Sequence, residues 1–214
     1  MRSFNKKYYQ IAIISLIWLF HISAIIGISL GYKDWFAGKT WLNLLILNMG
    51  LLFIFPLYKP KNLLAYSLIV LLGFLVEFLG VNYGWFFGEY QYGENLGKKI
   101  AGTPVLIGLN WAMLVFVTGQ VAQNLLSKKW MQVSFAAGLM LLLDLLMEKT
   151  APVFDFWEFK NEVVPVSNFI AWFVFAFLFQ LIFQGLSSKG NNMISYHIYI
   201  VQFLFFAYFY GYNL

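Results

Sequence analysis

Cysteine is absent from the 214-residue sequence, which removes both disulfides and thiolate metal sites. Histidine is nearly absent: His21 and His197 lie far apart in the chain, so no imidazole metal set stands at ligand spacing. Charge is scarce at 11% of residues, with only nine acids. There is no phosphate-cradling glycine loop and no serine–histidine pair at recognisable spacing. These gaps argue against hydride transfer, nucleophilic acyl chemistry and iron-dependent oxygenation, and a metal site is not expected. The net charge of +5 is spread over short loops, where anchoring and topology explain it without a nucleic-acid partner.

What is present is apolar and aromatic surface, 61% and 21% of the chain. Seven apolar segments, near 10–30, 41–58, 63–82, 103–123, 131–149, 165–186 and 193–210, approach the length needed to cross a hydrocarbon core of about 30 Å. The fold expected is all-α: a polytopic membrane helix bundle of about seven transmembrane helices, a single integral domain over 1–214, multi-pass in the cell (inner) membrane. The first apolar run reads as a span rather than a cleaved leader. The N-terminus and the loops carrying Lys59/Lys61, Lys128/Lys129 and Lys189 hold eight basic residues and no acid, and the alternate loops hold six basic residues. That bias places the N-terminus on the cytoplasmic side.

An ionisable group inside an apolar run marks a functional site by default, because inserting it costs a few kcal/mol. Glu77 is such a group. Gly73, Glu77, Gly80 and Gly84 share one helical face, open to a neighbouring backbone or a slender ligand. A long connector follows, GWFFGEYQYGENLGKKIAGTP, with Trp85, Phe87, Tyr90 and Tyr92 among glycines, preceded by Tyr83; long ordered connections tend to be functional. The next helix opens at Thr103-Pro104 and carries Asn110 and Trp111. The second half repeats the layout: Asp144 and Glu148 on one face, the connector APVFDFWEFKNEVV with Asp155 and Trp157, and a helix opening at Pro165 with Asn168 and Trp172. Proline-to-tryptophan spacing is seven in each half, which predicts an internal parallel repeat facing one cavity. His21 is expected to be a packing residue and the last helix a scaffold.

A carboxylic acid in an apolar wall is a general acid, and aromatic faces stabilise a carbocation. Acid plus aromatics suits protonation of an alkene, with a second carboxylate, Asn or Tyr positioning water. At these residues the sequence resembles the carotenoid biosynthesis membrane proteins that include the carotenoid 1,2-hydratases. The resemblance rests on Glu77, NYGWFFGEYQY, Leu96-Gly97, Gly102-Thr103-Pro104, Trp111, Asp144, the FDFW segment and VPVSNFIAW, over about residues 70 to 175. The chain reads GTP where GVP is expected. The resemblance implies water addition across the terminal 1,2 double bond of an acyclic ψ end group of a C40 or longer polyene, without a cofactor, and association with other membrane enzymes of the pathway. Under it, Glu77 or Asp144 gives the proton and the other orients water, with Glu148 and Asp155 in reserve. Tyr83, Trp85, Phe87, Tyr90, Tyr92, Pro104, Asn110, Trp111, Trp157, Asn168 and Trp172 contact the substrate.

Two other functions fit less closely. A carotene cyclase would protonate the same end group but let the chain's own double bond capture the cation. A seven-helix proton-coupled transporter would also use intramembrane acids, but a path across the membrane calls for acids at several depths, and here they gather at one side.

Overall fold

The computed structural model describes residues 2–187 and 189–212, leaving aside the side chains of 2–6, 52–54 and 161. The elements are α1 (Arg2–Ser29), α2 (Lys33–Ala37), α3 (Thr40–Ile54), α4 (Pro60–Tyr83), β1 (Tyr90–Tyr92), β2 (Lys99–Ile100), β3 (Thr103–Pro104), α5 (Leu106–Leu125), α6 (Lys129–Thr150), β4 (Trp157–Phe159), α7 (Val166–Leu186) and α8 (Asn192–Gly211). The chain is the all-α polytopic bundle expected, with strands confined to the two connectors.

Among the described residues, six helices (all but α2 and α3) contain stretches long and apolar enough to cross a membrane, and α5, the one most buried by its neighbours, is the central one. The segment expected at 41–58 differs. It forms α3, 15 residues and so about 22 Å long, because Pro56 and the Lys59-Pro60 pair end one helix and start the next. Its direction still matters. Trp18 donates to His197 and Ser29 pairs with Tyr208, both across 179 positions, so α1 and α8 run parallel. Six alternating spans would leave those two helices antiparallel; α3 supplies the additional reversal.

The connectors are built, not slack. Gly84 ends α4 in the left-handed conformation (φ 66°), which a residue without Cβ adopts freely. β1 then pairs antiparallel with β4, Tyr90 opposite Phe159 and Tyr92 opposite Trp157. β2 and β3 form a hairpin closed by Ala101 and Gly102, both at positive φ, the geometry of a tight two-residue turn. Pro104 therefore sits in β3, and α5 begins two residues later than the sequence suggests.

The repeat is legible in these elements. Glu77 and Asp144, the helix ends Tyr83 and Thr150, and strands β1 and β4 all stand 67 positions apart. Beyond the connectors the interval becomes 61: Pro104 to Pro165, Trp111 to Trp172, Leu125 to Leu186. The first connector is longer by six residues, the room its β2–β3 hairpin occupies. Trp111 and Trp172 stack on one another at 4.0 Å between centroids, 16° from coplanar, so equivalent residues of the two halves meet.

Candidate functional site

The site lies where α4 and α6 end and α5 and α7 begin. Glu77 stands six residues before the end of α4, and Asp144 six before the end of α6, each about 9 Å from its helix terminus. Glu77, Asp144 and Glu148 are all buried. The ion pairs among the described residues, Lys99–Glu94 and Lys160–Glu89, lie in the connectors, so none neutralises these carboxyls.

Hydrogen bonding sorts the three acids. Glu77 receives three donors: Tyr90 Oη at 2.6 Å and Tyr92 Oη at 2.7 Å on Oε2, and Trp111 Nε1 at 2.8 Å on Oε1. Burial, reinforced by the Glu77 carboxyl, pushes both phenols well above the ordinary tyrosine range, so they remain donors at any working pH. Glu148 receives two, from Trp157 Nε1 at 3.0 Å and Asn168 Nδ2 at 2.7 Å. Asp144 receives only a long contact from Asn168 at 3.5 Å, and its Oδ1 is without a partner.

Glycine explains how the donors reach Glu77. A Cβ on Gly73 would stand 2.7 Å from Trp111 Cβ, and one on Gly80 would stand 2.8 Å from Tyr90 Oη. The glycine face read from the sequence as open to a slender ligand is instead filled by the protein's own rings, one turn below and one turn above the carboxyl.

Two cavities adjoin this cluster. The larger, about 690 Å³, is walled by α1, α2, α3, α5, α6 and α8, largely with apolar side chains such as Leu114, Leu143, Phe154 and Phe205. The smaller, about 20 Å³, is lined by Glu77, Phe87, Tyr90, Tyr92, Ile107, Asn110, Met147, Glu148, Trp157, Phe159, Asn168 and Trp172. Ile107, Asn110, Met147 and Trp157 line both, so the two share a wall.

Most residues singled out from the sequence therefore converge. Glu77, Phe87, Tyr90, Tyr92, Asn110, Glu148, Trp157, Asn168 and Trp172 line the small cavity, and Trp111 reaches it through Glu77 and Trp172. Asp144 lies behind Glu148 and lines neither cavity. Asp155 is not in the cluster: it is exposed, at φ 53°, and its Oδ2 accepts the backbone N–H of Glu94, the work of a connector cap. Tyr83 and Trp85 are exposed on the outside, and Pro104 is buried in the hairpin. The larger cavity also uses residues the sequence reading passed over. His21, whose Nδ1–H donates to Ile17 O at 2.8 Å, and Gln202 with Phe205 of α8 form part of its wall, so the last helix is more than scaffold. Asn43 and Gln202 each keep a buried carbonyl oxygen without a partner. Their signal was polarity inside an apolar helix.

Residues 38–212 match the family described as carotenoid biosynthesis protein. A bisanhydrobacterioruberin hydratase of Haloarcula japonica is 27% identical over 142 residues, 61% of this chain and 47% of the relative, so the match spans about half of that protein's length. No solved structure matches.

Proposed function

The chain belongs to the carotenoid biosynthesis protein family, and on that premise we propose that it is a carotenoid hydratase, adding water across the terminal C1=C2 double bond of an acyclic ψ end group. The observation that carries the reading is the shared wall: an apolar cavity of about 690 Å³, within the range of ligand pockets, meets a carboxyl-lined cell of about 20 Å³. The polyene's end group occupies the first, and the reacting proton and water come from the second.

The roles follow from contacts. Glu148, which lines the cell beside Trp157, protonates C2. Asp144, one turn earlier on the same face of α6, stands behind Glu148 as its reserve. The tertiary cation at C1 lies against the indole of Trp157, whose face favours positive charge. Water attacks C1 and gives up its proton to Glu77, the acid held by three donors, and a proton passed from Glu77 back to Glu148 across the cell they both line resets the pair. The sum is alkene plus water to tertiary alcohol, with no net redox change, so the reaction calls for no redox cofactor. Against the sequence reading, Glu148 replaces Asp144 as the acid nearest the substrate, because Asp144 reaches neither cavity. The basic loops put the N-terminus in the cytoplasm and the site toward the opposite face. An N-terminal reporter active only outside the cell would overturn that orientation.

Pigments from lycopene-producing cells expressing the chain in heavy-oxygen water test the function. A product heavier by one labelled water is expected. A mass-neutral, ring-bearing product would overturn the reading in favour of cyclisation, and unchanged lycopene, γ-carotene and longer polyenes would return the transporter.

A further inference from the structure

Cation chemistry at an end group has three exits: capture by water, capture by a neighbouring double bond, or loss of a proton back to an alkene. Something must hold a water where it wins. The small cell is of the right size, since about 20 Å³ accommodates a single water, for which about 10–15 Å³ of such space is enough. It is also polar enough, because a retained water wants two to four partners and carboxyls face the cell from α4 and α6.

Of the side chains that line both cavities, Ile107 and Met147 are apolar, and the Trp157 indole N–H is already committed to Glu148. Asn110 is different. It stands in the first turns of α5, half-buried, and its amide makes no hydrogen bond to the described residues. The other asparagine that lines the cell, Asn168, is by contrast occupied by Glu148. A carboxamide offers two N–H donors and a carbonyl acceptor, and at Asn110 all of them remain free at the boundary between the two spaces.

We infer that Asn110 holds the attacking water at the boundary between the two cavities and so sets the partition of the cation between alcohol and alkene. It is a positioning residue: the proton comes from the acids, while Asn110 aims an oxygen lone pair at C1 by accepting one water O–H. This rests on the hydratase reading and adds to it the group that makes hydration the outcome. Replacement by leucine keeps the volume and removes the polar atoms. The cation then forms but reverts: a C–H bond at C2 breaks, its electron pair rebuilds C1=C2, and the proton returns to the carboxylate.

The experiment compares wild type, Asn110→Leu and Asn110→Gln in membranes supplied with a ψ-ended polyene, in water enriched in deuterium and heavy oxygen. Alcohol is read by mass, and abortive protonation as deuterium in the recovered polyene. Asn110→Leu should form alcohol at least about tenfold more slowly, the equivalent of one well-placed contact in the transition state. It should also accumulate deuterium in unreacted substrate beyond the wild-type level, and Asn110→Gln should restore part of the alcohol. Alcohol formation by Asn110→Leu at the wild-type rate would overturn the inference. So would parallel loss of alcohol and of deuterium exchange, which would make Asn110 structural or tie it to protonation. Absence of labelled alcohol from the wild type would instead overturn the hydratase reading, and this inference with it.

Discussion

Replacing Glu148 by glutamine keeps the shape of the side chain, removes its acidic proton and turns one acceptor oxygen into an NH₂ group. In the structure Glu148 accepts from Trp157 Nε1 at 3.0 Å and from Asn168 Nδ2 at 2.7 Å, one donor on each oxygen. A glutamine has one carbonyl oxygen, so one of those N–H groups must face its NH₂, donor against donor. A buried donor left unmatched costs about 1–3 kcal/mol of stability. The catalytic cost is larger, since losing a positioned general acid lowers a rate by about 10²–10⁴-fold. Turnover of a ψ-ended polyene by purified protein in lipid nanodiscs should therefore fall at least about a hundredfold, with a modest drop in unfolding temperature. Asp144→Asn is the control. Asp144 Oδ1 has no partner to lose and the group lines neither cavity, so this variant should retain more activity than Glu148→Gln. Turnover by Glu148→Gln within a few-fold of wild type, or a deeper loss in Asp144→Asn, would refute the order in which the two acids are placed.

Three further outcomes test the frame around the site. Tyr92→Phe deletes one of the three donors on Glu77, and a buried acceptor short of a partner should cost about 1–3 kcal/mol in unfolding measurements while leaving expression in the membrane intact. Gly108→Ala would set a Cβ 2.4 Å from the Val70 carbonyl oxygen of α4, an atom that cannot swing aside; a loss of about 1–3 kcal/mol from overpacking is expected, and unchanged thermal stability would contradict the α4–α5 contact. Lys160→Ala removes the exposed pair with Glu89 between the connectors, and no more than about 1 kcal/mol should follow, because solvent screens such pairs.

Much of the bundle was legible because lipid leaves few choices: an apolar run of spanning length must satisfy its backbone as a helix. The acids were legible for the same reason, since polarity stands out in such a run. The glycine face of α4 and the matched proline–tryptophan intervals also pointed to the right helical faces. Long-range pairing was not legible. Nothing local in YQY says that it lies along WEF 67 residues later, yet that ladder folds the connector back and, with the gap at Gly80, brings Tyr90 and Tyr92 to Glu77. Asp155 looked like a site acid because it sits among aromatics, but its left-handed backbone commits it to a connector turn. The large cavity escaped notice because its wall is shared among six helices, each contributing ordinary apolar residues.

The way donors are allotted between the halves bears on how the protein is made. Tyr90, Tyr92 and Trp111, which clothe Glu77, all follow it within the first repeat, and Trp157 and Asn168, which clothe Glu148, all follow it within the second. A ribosome that has delivered the chain as far as α5 has therefore already delivered every partner Glu77 uses. Each acid enters the lipid with its own escort, whereas contacts that join the halves, such as the Trp111–Trp172 stack and the β1–β4 ladder, must wait for the rest of the polypeptide.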